Sequence, residues 1–235
     1  LLGDIFDLLR TSQWNNEKIG EPGYARPWQK STNPSFVKKV NGIVDGIFAQ
    51  NAEALQVLHD LSTGAAISLP PARADGQVNR QVSRDRRSKK RIPIKVNIHY
   101  MCGNHDWILH VPGDDFNLIR KKVIEKMGLS NPPTSFPYAP EDSETIYTIL
   151  KKHQVYARHG DFYDPINFTK KRGRNSASIG DAMCIEIFNR FPKMIKDEIG
   201  DKLPLNFYTD LDEMGSIRPS SMTPIWVANM LERHD

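Results

Sequence analysis

The stretch IKVNIHYMCGNHD, Ile94 to Asp106, decides how the chain is read. Its first half alternates Ile94, Val96, Ile98 and Tyr100 with polar residues, the period of two that a half-buried β-strand requires. Its second half, Gly103-Asn104-His105-Asp106, holds poor strand formers that make sense in a loop presented by a strand end. Working outward, GDIFD at Gly3 to Asp7 follows the apolar pair Leu1-Leu2, and HGD at His159 to Asp161 follows Val155-Tyr156-Ala157. Each motif sets Asp, Asn or His directly after an apolar run that reads as a strand. Oxygen and nitrogen donors at three strand ends point to one metal site.

The rest of the chain alternates helical signals with long excursions. Leu8 to Pro34 holds Trp14, Trp28, Gly20, Gly23, Pro22 and Pro27 and reads as an irregular loop with aromatic anchors. From Pro34 or Ser35 to about Leu61, the apolar residues Phe36, Val40, Ile43, Val44, Ile47, Leu55, Leu58 and Leu61 recur at spacings of three and four, with a gap around Ala49 to Ala54, which predicts a core-packing helix. Asp114 to Met127 repeats the pattern through Phe116, Ile119, Val123 and Ile124, with Gly128 as its stop. Thr145 to Leu150 reads as a short strand, Ile179 to Ile195 as helical, and Trp226 to Leu231 as a last helix. The expected organisation is a core at 1–175 with an insertion at about 8–92, followed by a mostly helical cap or extension at 176–235.

A chain of 235 residues with 39% hydrophobic content can bury a sizeable core. No apolar run approaches the roughly 18 to 20 residues that a membrane span needs. Cys102 and Cys184 are the two cysteines, and Cys102 falls in the predicted strand, which argues against a disulfide framework and fits a reducing cytoplasm. The net charge of +4 depends on local runs, chiefly RDRRSKKR at Arg84 to Arg91. That run reads as a solvated loop, because it holds no aromatic residue on which bases could stack. Contact with nucleic-acid phosphates or with anionic lipid head groups is the alternative.

In combination and order the three motifs resemble the calcineurin-like metallophosphoesterases, which hydrolyse phosphate esters and anhydrides with two metal ions. The family pattern runs DxH, GDxxD, GNH(D/E), H and GHxH. This sequence matches the second, third and fourth, with no DxH before Gly3 and no GHxH after His159, and reads as a segment of a longer protein. The GNHD and HGD forms are nearest to the bacterial branch that cleaves a pyrophosphate in a lipid-linked nucleotide. The long insertion between GDIFD and GNHD and the long tail after HGD depart from that branch.

The resemblance implies an α/β fold of two facing mixed β-sheets flanked by helices, with a helical insertion and a helical cap. It implies that Asp4 bridges two divalent metal ions, Mn in first place with Fe or Zn as alternatives, and that Asn104 and His159 bind one of them. Two ions about 3.5 to 4 Å apart would hold a shared hydroxide for in-line attack at phosphorus. His105 would protonate the leaving-group oxygen, and Asp7 would orient His105 and stabilise its charged form. Asp106 and Asp161 would support the ligands from behind. Leu8 stands where the related Ser/Thr phosphatases place a phosphate-binding Arg, so no substrate-binding residue is assigned. His99 is expected to line the core strand. The expected partner is a phosphorylated small-molecule or nucleotide-type substrate. Two alternatives are a metal-dependent nuclease of the same superfamily, supported by the basic run, and a non-catalytic scaffold of the fold.

Overall fold

Regular structure in this protein follows the helix signals far more than the strand signals. The computed structural model describes residues 1–217 and 222–234. In chain order its elements are α1 (Pro34–Gln50), α2 (Ala52–Thr63), β1 (Ser68–Leu69), α3 (Arg80–Arg84), β2 (Ile92–Pro93), α4 (Asp114–Met127), α5 (Glu144–Lys152), α6 (Ile179–Met183), α7 (Arg190–Ile199), α8 (Leu205–Glu213) and α9 (Thr223–His234). Among the described residues helix makes up 52% and strand pairing 4%, which overturns the expected pair of facing mixed β-sheets. The one sheet among them is the antiparallel pair β1–β2, with Ser68 opposite Pro93 and Leu69 opposite Ile92.

The missing sheets have a physical reason. Residues 94–100 do alternate in burial, but the backbone bonds of 94–102 go to scattered partners instead of one neighbouring strand. Ile94 N–H donates to the Ile67 carbonyl, Val96 N–H to Leu61, and Cys102 N–H to Pro137. Tyr100 exchanges both its backbone bonds with the Asn131 side-chain amide, at 2.7 and 2.9 Å. Strand-like pairing survives as single parallel bridges, Leu2 with Met101 and Ile98 with Leu129.

Thr145 to Leu150, expected as a strand, lies in α5. Ser143 caps that helix by accepting from Ile146 N–H, Glu144 opens it, and Lys151 and Lys152 sit in its last turn, so both ends complement the helix dipole. Val155 and Tyr156, expected as the strand before HGD, are exposed and irregular. The long helix expected from Pro34 is divided at Asn51. There the side chain donates to the Ile47 carbonyl.

The chain forms two compact units, each built from three stretches of sequence. The first comprises Leu1–Phe6, Val44–Gly103 and Leu109–His159. In its core Phe6 meets Phe48 edge-on at 5.8 Å, and Tyr100 lies 5.7 Å from Phe136. Helices α2 and α4 pack closely: Gly128, the left-handed stop of α4 at φ 67°, sits where any Cβ would collide with Ser62. Arg120 of α4 is fully buried and donates to the Leu109 and Val111 carbonyls at 2.9 and 2.7 Å. Burial lowers its pKa to about 10, which still leaves it charged at neutral pH.

The second unit comprises Asp7–Ile43, Asn104–Ile108 and Gly160–Asp235. Trp14 stacks on Phe36 and donates its indole N–H to the Leu8 carbonyl at 2.8 Å. Between α6 and α7 the helix widens into a π turn over Cys184–Asn189. Asn15 donates to the Ile185 carbonyl at 3.0 Å, and Asn189 donates to those of Leu9 and Thr11, so side-chain amides serve backbone groups at the bulge. Buried Arg26 pairs there with Glu186 at 2.5 Å. Phe207, Leu211 and Met230 join α8 to α9. Of the helical extension expected at 176–235, residues 218–221 and 235 lie outside the described residues. Among the described residues no helix is long and apolar enough to cross a membrane.

Candidate functional site

In the first unit the leading residues of all three motifs come together. Gly3 and Asp4 both adopt left-handed backbone, at φ 67° and 53°. Such a turn suits Gly, and Asp is one of the few other residues that tolerates it. The Tyr100 hydroxyl accepts from the N–H groups of Ile5 at 3.2 Å and Phe6 at 3.1 Å, fastening the turn from beneath. A Cβ on Gly3 would run into the Gly103 backbone nitrogen, and a Cβ on Gly103 would meet Asp4 Oδ1 and lie 2.8 Å from the His159 ring. Both glycines are therefore required for the close approach of Asp4 and His159.

The wiring of His159 determines what this pair can do. Its Nδ1 lies 2.9 Å from the Leu2 carbonyl oxygen, a contact that only an N–H can make favourably. In the neutral ring Nε2 then carries a lone pair, and that atom lies 3.1 Å from Asp4 Oδ2. A lone pair facing a carboxylate calls for a positive charge, either a second ring proton or a metal ion. Two donors each about 2.1 Å from one ion stand roughly 3.0 to 3.4 Å apart, so this spacing fits a shared cation. Among the described residues no group of three or more His, Cys, Asp or Glu side chains is placed to hold a metal.

In the second unit Asp7 and His105 form another carboxylate–imidazole pair. Asp7 Oδ1 accepts from Arg10 N–H at 2.9 Å and lies 2.8 Å from His105 Nδ1. Leu8 N–H donates to the His105 carbonyl at 3.2 Å, which holds the two backbones in register. Asn104 is half-buried and Asp106 fully buried. Asp161 pairs with Arg174 at 2.6 Å. Outside the motifs, His99 is half-buried with its pKa lowered by desolvation, His110 contacts the Phe136 carbonyl at 2.6 Å, and His234 contacts Asp210 at 3.0 Å.

Sequence reasoning named Gly3 and Gly103 as motif residues and Tyr100 as a strand residue without reading their supporting roles, and it missed Trp107 and Asp181 altogether. Asp181 is buried and accepts from Trp107 Nε1 at 2.8 Å and from the Ser178 hydroxyl at 2.6 Å. It thereby anchors the residue two places beyond His105. Burial raises its pKa, opposed by those hydrogen bonds and by His105. A local signal existed in Ser178-x-x-Asp181, an N-cap at the start of α6, where Asp181 N–H donates to Ser178 Oγ. Its partnership with Trp107, 74 residues away, had none.

Comparison with protein families, curated proteins and solved structures gives no match for this chain.

Proposed function

We propose that this chain carries the site of a metal-dependent phosphoester hydrolase of the calcineurin-like type. The observation that supports it is the His159 ring, fixed through Nδ1 to a backbone carbonyl while Nε2 faces the Asp4 carboxylate at 3.1 Å. Asp4 and His159 would hold a divalent cation such as Mn, with the Asn104 amide oxygen as the further donor that the motif pattern assigns. Bound there, divalent cations supply Lewis-acid stabilisation of charge on the phosphoryl oxygens. Asp7 would accept the Nδ1 proton of His105, which leaves Nε2 as the atom that hands a proton to the leaving-group oxygen. Tyr100 keeps the Asp4 turn in place, and Asp181 holds Trp107 behind His105. The substrate class is a phosphorylated small molecule or nucleotide-type ester.

With added Mn the protein is expected to hydrolyse bis(p-nitrophenyl) phosphate or p-nitrophenyl phosphate. Asp4→Ala and Asn104→Ala should each abolish this, a loss of about a thousandfold or more for a group that organises transition-state charge. Metal-dependent turnover unaffected by both substitutions would refute the assignment.

A further inference from the structure

The loop after HGD holds a second feature that the hydrolase reading does not use. Asp161 to Arg174 carries four cations, Lys170, Lys171, Arg172 and Arg174, against two acids, Asp161 and Asp164. Aromatic rings are interleaved with them. Phe162 stacks on Phe168 at 4.8 Å, Tyr163 stands edge-on to Phe162 at 5.5 Å, and Tyr163 is 74% exposed. The Arg174 guanidinium lies 4.6 Å from the Phe168 ring centre and is held by Asp161, while Lys170 lies 5.6 Å from that of Phe162. These two cations stiffen the aromatic cluster.

Lys171 and Arg172 are exposed and make no ion pair among the described residues. The loop that presents them is braced: the Ser176 hydroxyl donates to the Arg172 carbonyl at 2.9 Å, and the Asp164 carboxylate accepts from Ile166 N–H and from the Asn167 amide. An exposed ring and two exposed cations carried by one braced loop are what a single strand needs, one π-face for a base and positive charge for its phosphates. The basic run Arg84 to Arg91 lacks such a ring, and its Arg91 is committed to Ser68 and the Val82 carbonyl.

We propose that the loop from Phe162 to Arg174 is a binding platform for single-stranded nucleic acid, with a base stacked on Tyr163 and neighbouring phosphates held by Lys171 and Arg172. This platform stands apart from hydrolysis, so its test is run without divalent metal. Fluorescence anisotropy with a labelled oligothymidylate or oligouridylate of about twelve nucleotides in EDTA reads binding directly, within the site sizes common for such grooves. Tyr163→Ala should weaken binding by roughly 5- to 100-fold, and Tyr163→Phe should retain it. Replacing Lys171 and Arg172 together by Ala should lower the slope of log affinity against log salt by about 1.4, two phosphate contacts on a single strand. Replacing Arg84 and Arg86 should change neither quantity. The proposal is overturned if the parent protein binds no oligonucleotide at low salt, or if Tyr163→Ala binds as the parent does. It also fails if heparin or phosphatidylserine vesicles bind as tightly as the oligonucleotide with the same sensitivity to Tyr163→Ala.

Discussion

His159 and His105 each sit beside an aspartate, yet the two rings are wired in opposite ways. In the first unit the Nδ1 of His159 is committed to the Leu2 carbonyl, and Nε2 faces Asp4. In the second unit the Nδ1 of His105 is the atom that meets Asp7. A carbonyl fixes the tautomer and leaves a lone pair for a cation, whereas a carboxylate on Nδ1 stabilises the ring as a proton donor. Under the proposed function the same two residue types would serve ligation in one place and proton transfer in the other.

The largest effect that could break this contrast is on turnover. His105→Ala is expected to lower kcat on an aryl phosphodiester by about 10²- to 10⁴-fold, the usual worth of a positioned acid. Asp7→Asn should lower it less, because it removes the group that orients His105 and leaves the acid in place. Unchanged turnover in His105→Ala would remove the proton-donor role.

Next comes the scaffold of the Asp4–His159 pair. Gly3→Ala combines a left-handed backbone with a collision at Gly103, so thermal or denaturant unfolding should show a loss of about 2 to 4 kcal/mol. Gly20→Ala is the control: φ is 89° and nothing lies near the added methyl, so it should cost only about 1 to 2 kcal/mol. Equal losses at the two positions would mean that the Gly3–Gly103 approach is not tight.

The smallest effect belongs to Asp181. Its carboxyl binds its proton more tightly folded than unfolded, because burial raises its pKa. Stability from that proton is present at low pH and is lost as pH rises from the ordinary carboxylate range through the raised folded value. Asp181→Asn keeps an acceptor for Trp107 and should flatten that decline while shifting neutral-pH stability by about 1 kcal/mol or less. An undiminished decline in urea titrations across pH would assign it to another group.

Helices were legible wherever period and caps coincided. Asp114 to Met127 with Gly128 is the clearest case, since a 3.6-residue stripe and a left-handed stop are both local signals. Strands failed because alternation reports how an extended chain is buried and says nothing about its neighbour. Ile94 to Tyr100 found Ile67, Leu61 and the Asn131 side chain instead of a ladder. Thr145 to Leu150 was misread because β-branched residues suit a strand, while the deciding signals were Ser143 and the terminal lysines. The motif residues were visible as chemistry. Their supports, Gly3 against Gly103, Tyr100 under the turn and Asp181 on Trp107, are long-range contacts that no local pattern encodes.

The central claim is tested most directly by calorimetric titration of Mn into the metal-free protein, His159→Ala and His105→Ala. The account predicts that the parent binds Mn, that His159→Ala weakens binding by at least about tenfold, and that His105→Ala leaves it within a factor of about three. A parent protein that binds no Mn, or equal loss in both variants, would contradict it.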